Sequence, residues 1–246
     1  MSTPATTASK GTHGSVITRI RNHFGDQCRT IEDSAWENIY VVGDVHGCAA
    51  EFLELIKKIN LSDSELLICV GDLIRKGPDS AGAVNIVRNR SNVLSVQGNG
   101  EYDYLRGDKE APQLEEAHRA AIETWPLVIT WTGNVVVHGG FDPDKSIESH
   151  TGEDIVNMRA PRRDNSYETP FWFDQYGKET RVFFGHTATR EPILQDNAVA
   201  LDTGCVYGGE LTAFDTGNGE LISVPAFETY VSRKDHKYAD VTRRES

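Results

Sequence analysis

Short apolar runs alternate with amphipathic segments in the first half of the chain, and this alternation constrains the fold more than any other feature. The runs NIYVV (38–42), ELLICV (65–70) and NVLSV (92–96) have the length and the β-branched content of buried strands. Between them, AAEFLELIKKI (49–59) and SAGAVNIVRNR (80–90) place apolar residues at helical spacing. Alternation of strand and helix over such intervals predicts a sheet covered by helices.

A second group of predicted strands occupies the other half of the chain. It follows a helical segment, QLEEAHRAAIET (113–124), and begins with a predicted hairpin in which LVITW (127–131) and NVVVH (134–138) flank Thr132-Gly133. Further strand-like runs are RVFFGH (181–186), AVALD (198–202), ELTAF (210–214) and ELISVP (220–225). Their short spacing favours a mostly antiparallel sheet packed on the first. The predicted fold is therefore α/β with an α+β-like second half: a central two-sheet β-sandwich flanked by helices.

The length of 246 residues fits one large domain, which we place at residues 16–228. Residues 1–15 are small and polar without an apolar segment, so we expect a disordered leader and no secretory signal. Residues 229–246 are charged, and we expect them to form a loose tail. No apolar run approaches the length that crosses a bilayer, which argues against a membrane role.

The formal net charge of −12 argues against a general nucleic-acid-binding protein, which would present a basic face. An anionic substrate must therefore be attracted by local cations, and bound metal ions would provide that charge. The four cysteines are scattered without a C-x-x-C pair, which is typical of free thiols in a reducing cytoplasm. They are Cys28, Cys48, Cys69 and Cys205.

Residues with oxygen or imidazole donors lie just past the ends of five predicted strands, each beside a glycine. They are Asp44, His46, Asp72, Asn99, His138 and His186. Any one of them alone is more often a turn former or an ordinary polar residue. The set is informative because the carboxyl ends of strands in sheet-based α/β proteins are where sites are built.

The donor types in this set indicate metal chemistry. Asp44 and His46 are two residues apart, so at an extended strand end they point the same way and can share one ion. Asp72 has two oxygens that can bridge two ions. A mixed nitrogen and oxygen set without cysteine suits Mn²⁺ first, with iron, Zn²⁺ or cobalt as alternatives. Two such ions about 3.5–4 Å apart would polarise a phosphoryl group and generate a nucleophile from water.

Five motifs give the chain a resemblance to a known family. GDVHG (43–47), GDLIRKG (71–77), GN (98–99), HGG (138–140) and GH (185–186) occur in the order found in the phosphoprotein-phosphatase-type, calcineurin-like metallophosphoesterases. The resemblance covers about residues 38 to 215. The resemblance implies a phosphohydrolase that uses two metal ions and is built on a central β-sandwich flanked by helices. Carried over to this chain, one ion would be held by Asp44, His46 and Asp72, and the other by Asp72, Asn99, His138 and His186.

The chain departs from the family pattern at two linked positions. Arg75-Lys76-Gly77 stands where the family usually has Asp-Arg-Gly, and Gly100 stands where it usually has the histidine that acts as general acid. In the family, the aspartate of Asp-Arg-Gly orients that histidine. Because this aspartate has no use without the histidine, the absence of both residues from this chain is consistent. GDLIRKGPDS and LDTGCVYGGELTA (201–213) resemble the bacterial diadenosine-tetraphosphate hydrolases and their eukaryotic ApaH-like relatives.

The resemblance also suggests which residues would contact the substrate. Lys76 occupies the family's arginine position, with Arg75 beside it, and together with Asp72 these are the predicted catalytic residues. Arg159 and Tyr207 resemble further substrate-binding positions of the subgroup. Alternatives to Arg159 are Arg162, Arg163 and Arg181. His118 and His150 could in principle replace the missing acid, but we expect both to be surface residues.

Three functions remain open at this point. The first is a cytoplasmic phosphohydrolase acting on phosphoanhydrides or phosphomonoesters, of the diadenosine-polyphosphate type or of the aryl and nucleotide type. The second is a serine/threonine protein phosphatase acting on phosphoproteins. The third is a catalytically weakened phosphate-binding or regulatory relative. The loss of a general acid costs least when the leaving group is a nucleotide phosphate or an aryl oxide, which favours the first.

Overall fold

The computed structural model describes residues 13–239, in which two β-sheets pack face to face and helices cover their outer sides. The α-helices are α1 (His13–Phe24), α2 (Ala49–Ile59), α3 (Ser80–Arg88), α4 (Asn99–Arg106), α5 (Glu116–Glu123) and α6 (Gly152–Asn157). The strands are β1 (Cys28–Thr30), β2 (Ile39–Val42), β3 (Leu66–Cys69), β4 (Val93–Ser95), β5 (Val128–Trp131), β6 (Asn134–Val137), β7 (Arg181–Phe184), β8 (Ile193–Leu194), β9 (Ala198–Ala200), β10 (Glu210–Asp215) and β11 (Leu221–Pro225).

The first sheet has the strand order β11-β10-β2-β3-β4, and its β2, β3 and β4 are parallel. Helices α2 and α3 connect these parallel strands, as the alternation of strand and helix predicts. The bounds predicted for α2 are confirmed, and its buried Phe52, Leu55 and Ile56 form the apolar face that packs on the sheet. The second sheet has the order β1-β5-β6-β7-β9-β8, and its β6, β7 and β9 are parallel.

The core between the sheets follows from the alternation of side chains along the strands. Ile39 and Val41 of β2 face the second sheet, whereas Tyr40 and Val42 face the helices. Strand β6 alternates in the same way, and its Val136 joins the layer between the sheets. Strands that are covered on both faces need apolar residues at every position, which explains the continuous apolar runs in the sequence.

The predicted two-sheet sandwich is confirmed, but the assignment of strands to sheets differs from the expectation. Strands β10 and β11, predicted with the second half, belong to the first sheet because β10 pairs antiparallel with β2. The second sheet is mixed, not mostly antiparallel, because long connections bring β6, β7 and β9 side by side in one direction. Strand spacing does not reveal such pairings. The short elements β1, β8, α4 and α6 were not predicted.

The hairpin predicted at Thr132-Gly133 is present, and a second hairpin joins β10 and β11. Gly133, between β5 and β6, has a φ of 73°, and Gly219, between β10 and β11, has a φ of 79°. These are left-handed values that glycine adopts without steric cost.

The termini differ from the expectation where they can be described. Most of the predicted leader lies outside the described residues, and α1 begins at His13. The segment predicted as a loose tail is held against the fold up to Ala239, whose N–H donates to the carbonyl of Ala188. The Tyr230 hydroxyl donates to buried Glu51. Within residues 13–239, no helix is both long enough and apolar enough to cross a membrane.

Candidate metal centre

The structure brings the six predicted metal ligands together at the edge where the parallel strands of both sheets end. Asp44 and His46 follow β2, Asp72 follows β3, Asn99 begins α4 just after β4, His138 follows β6 and His186 follows β7. Since parallel strands present their carboxyl ends at the same edge, two sheets packed face to face bring two such edges into contact. The position of the site is a direct consequence of the topology.

Asp44, His46 and Asp72 form the first half of the cluster, and all three are buried. His46 Nε2 lies 3.6 Å from Asp44 Oδ2 and 3.3 Å from Asp72 Oδ2. The backbone N–H of His186 donates to the Asp44 carboxylate at 3.2 Å, which fixes the carboxylate against the second sheet. A side chain at Gly185 would overlap with this carboxylate, so only glycine permits the close approach.

The remaining ligands gather on the other side of Asp72. His138 Nε2 lies 3.5 Å from Asp72 Oδ1 and 3.2 Å from Asn99 Oδ1. His186 Nδ1 lies 3.0 Å from the same amide oxygen of Asn99. One Asp72 oxygen therefore faces His46 and the other faces His138, so this carboxylate contacts both halves of the cluster.

The orientation of two imidazoles shows that this cluster fits cations. Nδ1 of His46 lies 3.3 Å from the carbonyl oxygen of Ile74, and Nδ1 of His138 lies 2.9 Å from that of Val70. A carbonyl can only accept a hydrogen bond, so Nδ1 carries the proton in both rings and Nε2 keeps its lone pair. The lone pair of His138 then faces carboxylate and amide oxygens, and acceptors facing acceptors are stabilised by a cation between them. The lone pair of His46 faces the Asp44 and Asp72 carboxylates and also the ammonium group of Lys76.

The pKa values of His46 and Asp44 also indicate that the cluster favours a bound cation. Burial, followed by the charge of Lys76, lowers the pKa of His46 to about 3, so this imidazole stays neutral and available as a ligand. Burial raises the pKa of Asp44 well above its usual range, and the charges of Asp202 and Asp72 raise it further. Three buried carboxylates close together favour a bound divalent cation.

Several residues of the cluster also have a strained backbone. His46, Asp72 and His186 have φ values of 47°, 50° and 63°, in the left-handed region that non-glycine residues seldom adopt. Arg75 and Lys76 share this conformation, with φ values of 70° and 66°. Each costs about 1–3 kcal/mol and persists only where the surrounding structure enforces it, which is typical of functional sites.

Comparison with known proteins identifies the family. Residues 37–222, which are more than half of the chain, match the calcineurin-like phosphoesterase family. This chain is a calcineurin-like phosphoesterase. The match spans the motifs on which the resemblance rested, and it confirms the predicted fold and the assignment as a hydrolase.

Individual relatives refine this placement of the phosphoesterase. It is 30% identical over 243 residues to bis(5'-nucleosyl)-tetraphosphatase PrpE [asymmetrical] of Halalkalibacterium halodurans, an alignment that covers 79% of this chain and 96% of that protein. A crystal structure provisionally assigned as a diadenosine tetraphosphatase has a TM-score of 0.73 and 27% identity, and covers 82% of this chain and 98% of its own. A Saccharomyces cerevisiae protein serine/threonine phosphatase, at 15% identity and a TM-score of 0.56, covers 92% of this chain and 91% of its own and shares the fold.

Glu101 is a residue of this phosphoesterase that the sequence analysis missed. Its carboxylate is fully buried and accepts four backbone N–H groups, from Asp72 and Gly98 on one oxygen and from Leu73 and Ile74 on the other. These bonds connect the loop after β3 to the start of α4, so Glu101 holds two ligand-bearing segments together. The only signal in the sequence is the position of Glu101 two residues after Asn99 of the GN motif.

Gly100 has no side chain where the family's general acid would stand. Its N–H donates to Asp72 Oδ1 at 2.7 Å, and a Cβ atom built at this position would lie 2.9 Å from the same oxygen. Gly100 therefore contributes to the orientation of the Asp72 carboxylate through its backbone alone.

The prediction that His118 and His150 lie on the surface was wrong, since both are buried and bond to backbone groups of their own segments. Nδ1 of His118 accepts the N–H of Glu115 at the start of α5. Nε2 of His150 accepts the N–H of Asp142, and its Nδ1 donates to the carbonyl of Ser146, so both its nitrogens are engaged. A single sequence does not show whether such a side chain finds partners inside the fold.

Three of the four predicted phosphate-contacting residues lie beside the cluster. Lys76 Nζ is 2.6 Å from His46 Nε2, and Arg159 Nη2 is 3.3 Å from His186 Nδ1. The Tyr207 ring centroid lies 6.5 Å from that of His46.

Arg75 is placed differently from these three residues. Burial raises the pKa of the Asp103 carboxyl, and the nearby charge of Arg75 opposes that rise. Within residues 13–239, the Arg75 guanidinium contacts none of the predicted metal ligands. Its role stays a prediction.

Asp202 is a second residue that the sequence analysis missed. It follows β9, lies buried beside the cluster and accepts the N–H of Gly204. Burial raises the pKa of Asp202, whereas the positive charge of Lys76 opposes that rise. The signal was available, because Asp202 is a carboxylate at the end of a strand, like Asp44 and Asp72.

Proposed function

We propose that this phosphoesterase is a dimetal phosphohydrolase that cleaves phosphoanhydride bonds of the diadenosine-polyphosphate type and also accepts aryl or nucleotide phosphates. The observation that carries the proposal is the combination of a full set of metal ligands with the absence of a general acid at Gly100. The similarity to a bis(5'-nucleosyl)-tetraphosphatase and to a structure assigned as a diadenosine tetraphosphatase supports the same substrate class.

The residues proposed to hold the ions form two sets that share Asp72. One set adds Asp44 and His46. The other adds Asn99, His138 and His186. When bound, two divalent ions polarise a phosphoryl group and lower the pKa of a water molecule so that it can act as the nucleophile. We expect Mn²⁺ to serve best, with iron, zinc or cobalt as alternatives.

The chain's own residues would orient the substrate. Lys76 lies beside His46 and Arg159 lies beside His186, and their charges would face the phosphate oxygens. A nucleotide phosphate leaves as a stabilised anion, so it needs no proton from the enzyme. A serine alkoxide is a poor leaving group, and a missing general acid costs about 10²–10⁴-fold in rate.

The test is a panel of three substrates assayed with Mn²⁺: diadenosine tetraphosphate, nitrophenyl phosphate and a phosphoserine peptide. We expect kcat/KM to be highest for the dinucleotide and lowest for the peptide. Equal or better turnover of the peptide would instead support a protein phosphatase. A protein that binds the ions and a phosphate ligand but turns over none of the three would support the regulatory alternative.

We also propose that the chain acts as one catalytic domain in a reducing cytoplasm. All four cysteines are free, and three of them are buried in the core, which supports a compartment without disulfide formation.

A further inference from the structure

Cationic and aromatic side chains alternate along one side of the metal centre and form what we term the cation–aromatic rim. It consists of Lys76, Arg159, Arg233, Tyr167, Tyr207 and Tyr238. Arg233 is its central member: the guanidinium carbon lies 4.5 Å from the ring centroid of Tyr207, 5.2 Å from that of Tyr238 and 5.3 Å from that of Tyr167.

The rim is continuous with the metal ligands at two points. Lys76 Nζ, which contacts His46, lies 5.4 Å from the Tyr207 ring centroid. The Arg159 guanidinium, which contacts His186, lies 4.8 Å from the Tyr167 ring centroid. Arg233 contacts both Tyr207 and Tyr167, so it lies one side chain further from the metal ligands than Lys76 and Arg159 do.

The cations of the rim have no carboxylate at ion-pair distance. Within residues 13–239, the structure records no ion pair between a carboxylate and Lys76, Arg159 or Arg233, although Asp202 lies close enough to interact with all three electrostatically. By contrast, Arg162 pairs with Asp144 at 2.7 Å, and Arg190, whose guanidinium carbon lies 4.7 Å from the Tyr238 ring centroid, pairs with Asp235 at 2.6 Å. Three adjacent cations without a direct carboxylate partner, in a protein with a net charge of −12, indicate a site for an extended anion.

We propose that Arg233, with Tyr167 and Tyr238, forms a subsite that binds the part of a nucleoside polyphosphate that extends beyond the scissile phosphate. The guanidinium would bind the outer phosphates, and a tyrosine ring would stack on the base. A simple phosphomonoester occupies the metal centre alone and has nothing to place in this subsite. The inference rests on the proposed hydrolysis of phosphoanhydrides, and it makes the segment before Ala239 part of the substrate site.

That segment is anchored well enough to position Arg233. The N–H of Val231 donates to the carbonyl of Val206, and the N–H of Ala239 donates to that of Ala188. Arg233 itself donates from Nε and Nη2 to the carbonyl of Lys237, at 3.2 and 2.6 Å, which fixes the plane of the guanidinium.

The test is Arg233→Ala, assayed with diadenosine tetraphosphate and with nitrophenyl phosphate. We expect KM for the dinucleotide to rise about 10-fold or more, the value of one or two charge-assisted hydrogen bonds, and kcat/KM for nitrophenyl phosphate to stay within about 2-fold. Arg162→Ala, which removes a paired surface arginine, is the matched control and should change neither. Equal effects of Arg233→Ala on the two substrates, or none on either, would overturn the inference.

Two further measurements keep the outcome clear. ATP as an inhibitor of nitrophenyl phosphate hydrolysis should lose about 10-fold in affinity in Arg233→Ala, whereas inorganic phosphate should not. The ATP inhibition tests the subsite without requiring that the enzyme cleave a dinucleotide. Failure to cleave the dinucleotide would instead count against the proposed function. If Arg233→Ala unfolds, Tyr167→Ala reaches the subsite from another segment and should show the same selective loss; an unselective result there also overturns the inference.

Discussion

Replacing Glu101 by glutamine tests whether this buried carboxylate holds the metal-binding loops together. Glutamine has one acceptor oxygen, whereas each Glu101 oxygen accepts two N–H groups, at 2.8 and 2.9 Å on Oε2 and at 2.8 and 3.1 Å on Oε1. In the variant, two backbone N–H groups must face an amide NH₂ group, which cannot accept from them. Each unsatisfied buried donor costs about 1–3 kcal/mol. Removal of a buried charge offsets part of the loss, so we expect the free energy of unfolding to fall by about 2–4 kcal/mol.

The assay is urea unfolding of the metal-free protein, in which the midpoint should shift while the slope m stays constant. Metal occupancy of the folded variant should fall as well, because Glu101 binds the N–H of Asp72 and of Gly98, directly before Asn99. Glu116→Gln, at an exposed position at the start of α5, is the matched control and should leave both quantities unchanged. A Glu101→Gln protein as stable as the wild type would refute the reasoning.

Three further predictions concern other residues of the site and its surroundings. Gly100→His should turn over a phosphoserine peptide at least about 10-fold faster than Gly100→Ala. Both variants add a Cβ atom 2.9 Å from Asp72 Oδ1, but only the histidine adds an imidazole that can donate a proton. Equal rates of the two variants would show that no acid is needed at this position. Because burial and nearby carboxylates raise the pKa of Asp44, a proton competes with the metal, and Mn²⁺ affinity measured by calorimetry should fall as the pH is lowered; a constant affinity would contradict this. His150→Phe should lower the free energy of unfolding by about 2 kcal/mol in denaturant titrations without changing turnover per folded molecule, because the hydrogen bonds of the His150 imidazole go to backbone groups of residues 142–147; lost turnover would make His150 a catalytic candidate.

The parts of the fold that the sequence predicted are those governed by local pattern. The helix at 49–59 and the hairpin at Gly133 follow from side-chain spacing and turn chemistry, which a short window contains. The pairing of β10 with β2 joins residues far apart in the chain, and no local pattern specifies it. Helix α4 escaped prediction because Gly100, in its first turn, is a poor helix former, whereas four buried N–H bonds to Glu101 determine the conformation of this segment.

The same distinction applies to the site. The six candidate ligands were found because strand ends mark them, and the family resemblance grouped them around Asp72. Glu101 and Arg233 were missed because their importance lies in partners contributed by other segments. Arg233 also lies in a charged stretch whose composition is typical of a loose tail, and its contacts with Tyr167 and Tyr207 come from distant parts of the chain.

Metal content and turnover measured on the same preparations show whether this protein is a dimetal phosphohydrolase. We expect two divalent ions per wild-type chain, Mn²⁺-dependent hydrolysis of diadenosine tetraphosphate that a chelator abolishes and Mn²⁺ restores, and loss of both occupancy and turnover in Asp72→Asn. Undiminished hydrolysis by chelated protein, or by Asp72→Asn without bound metal, would contradict this expectation.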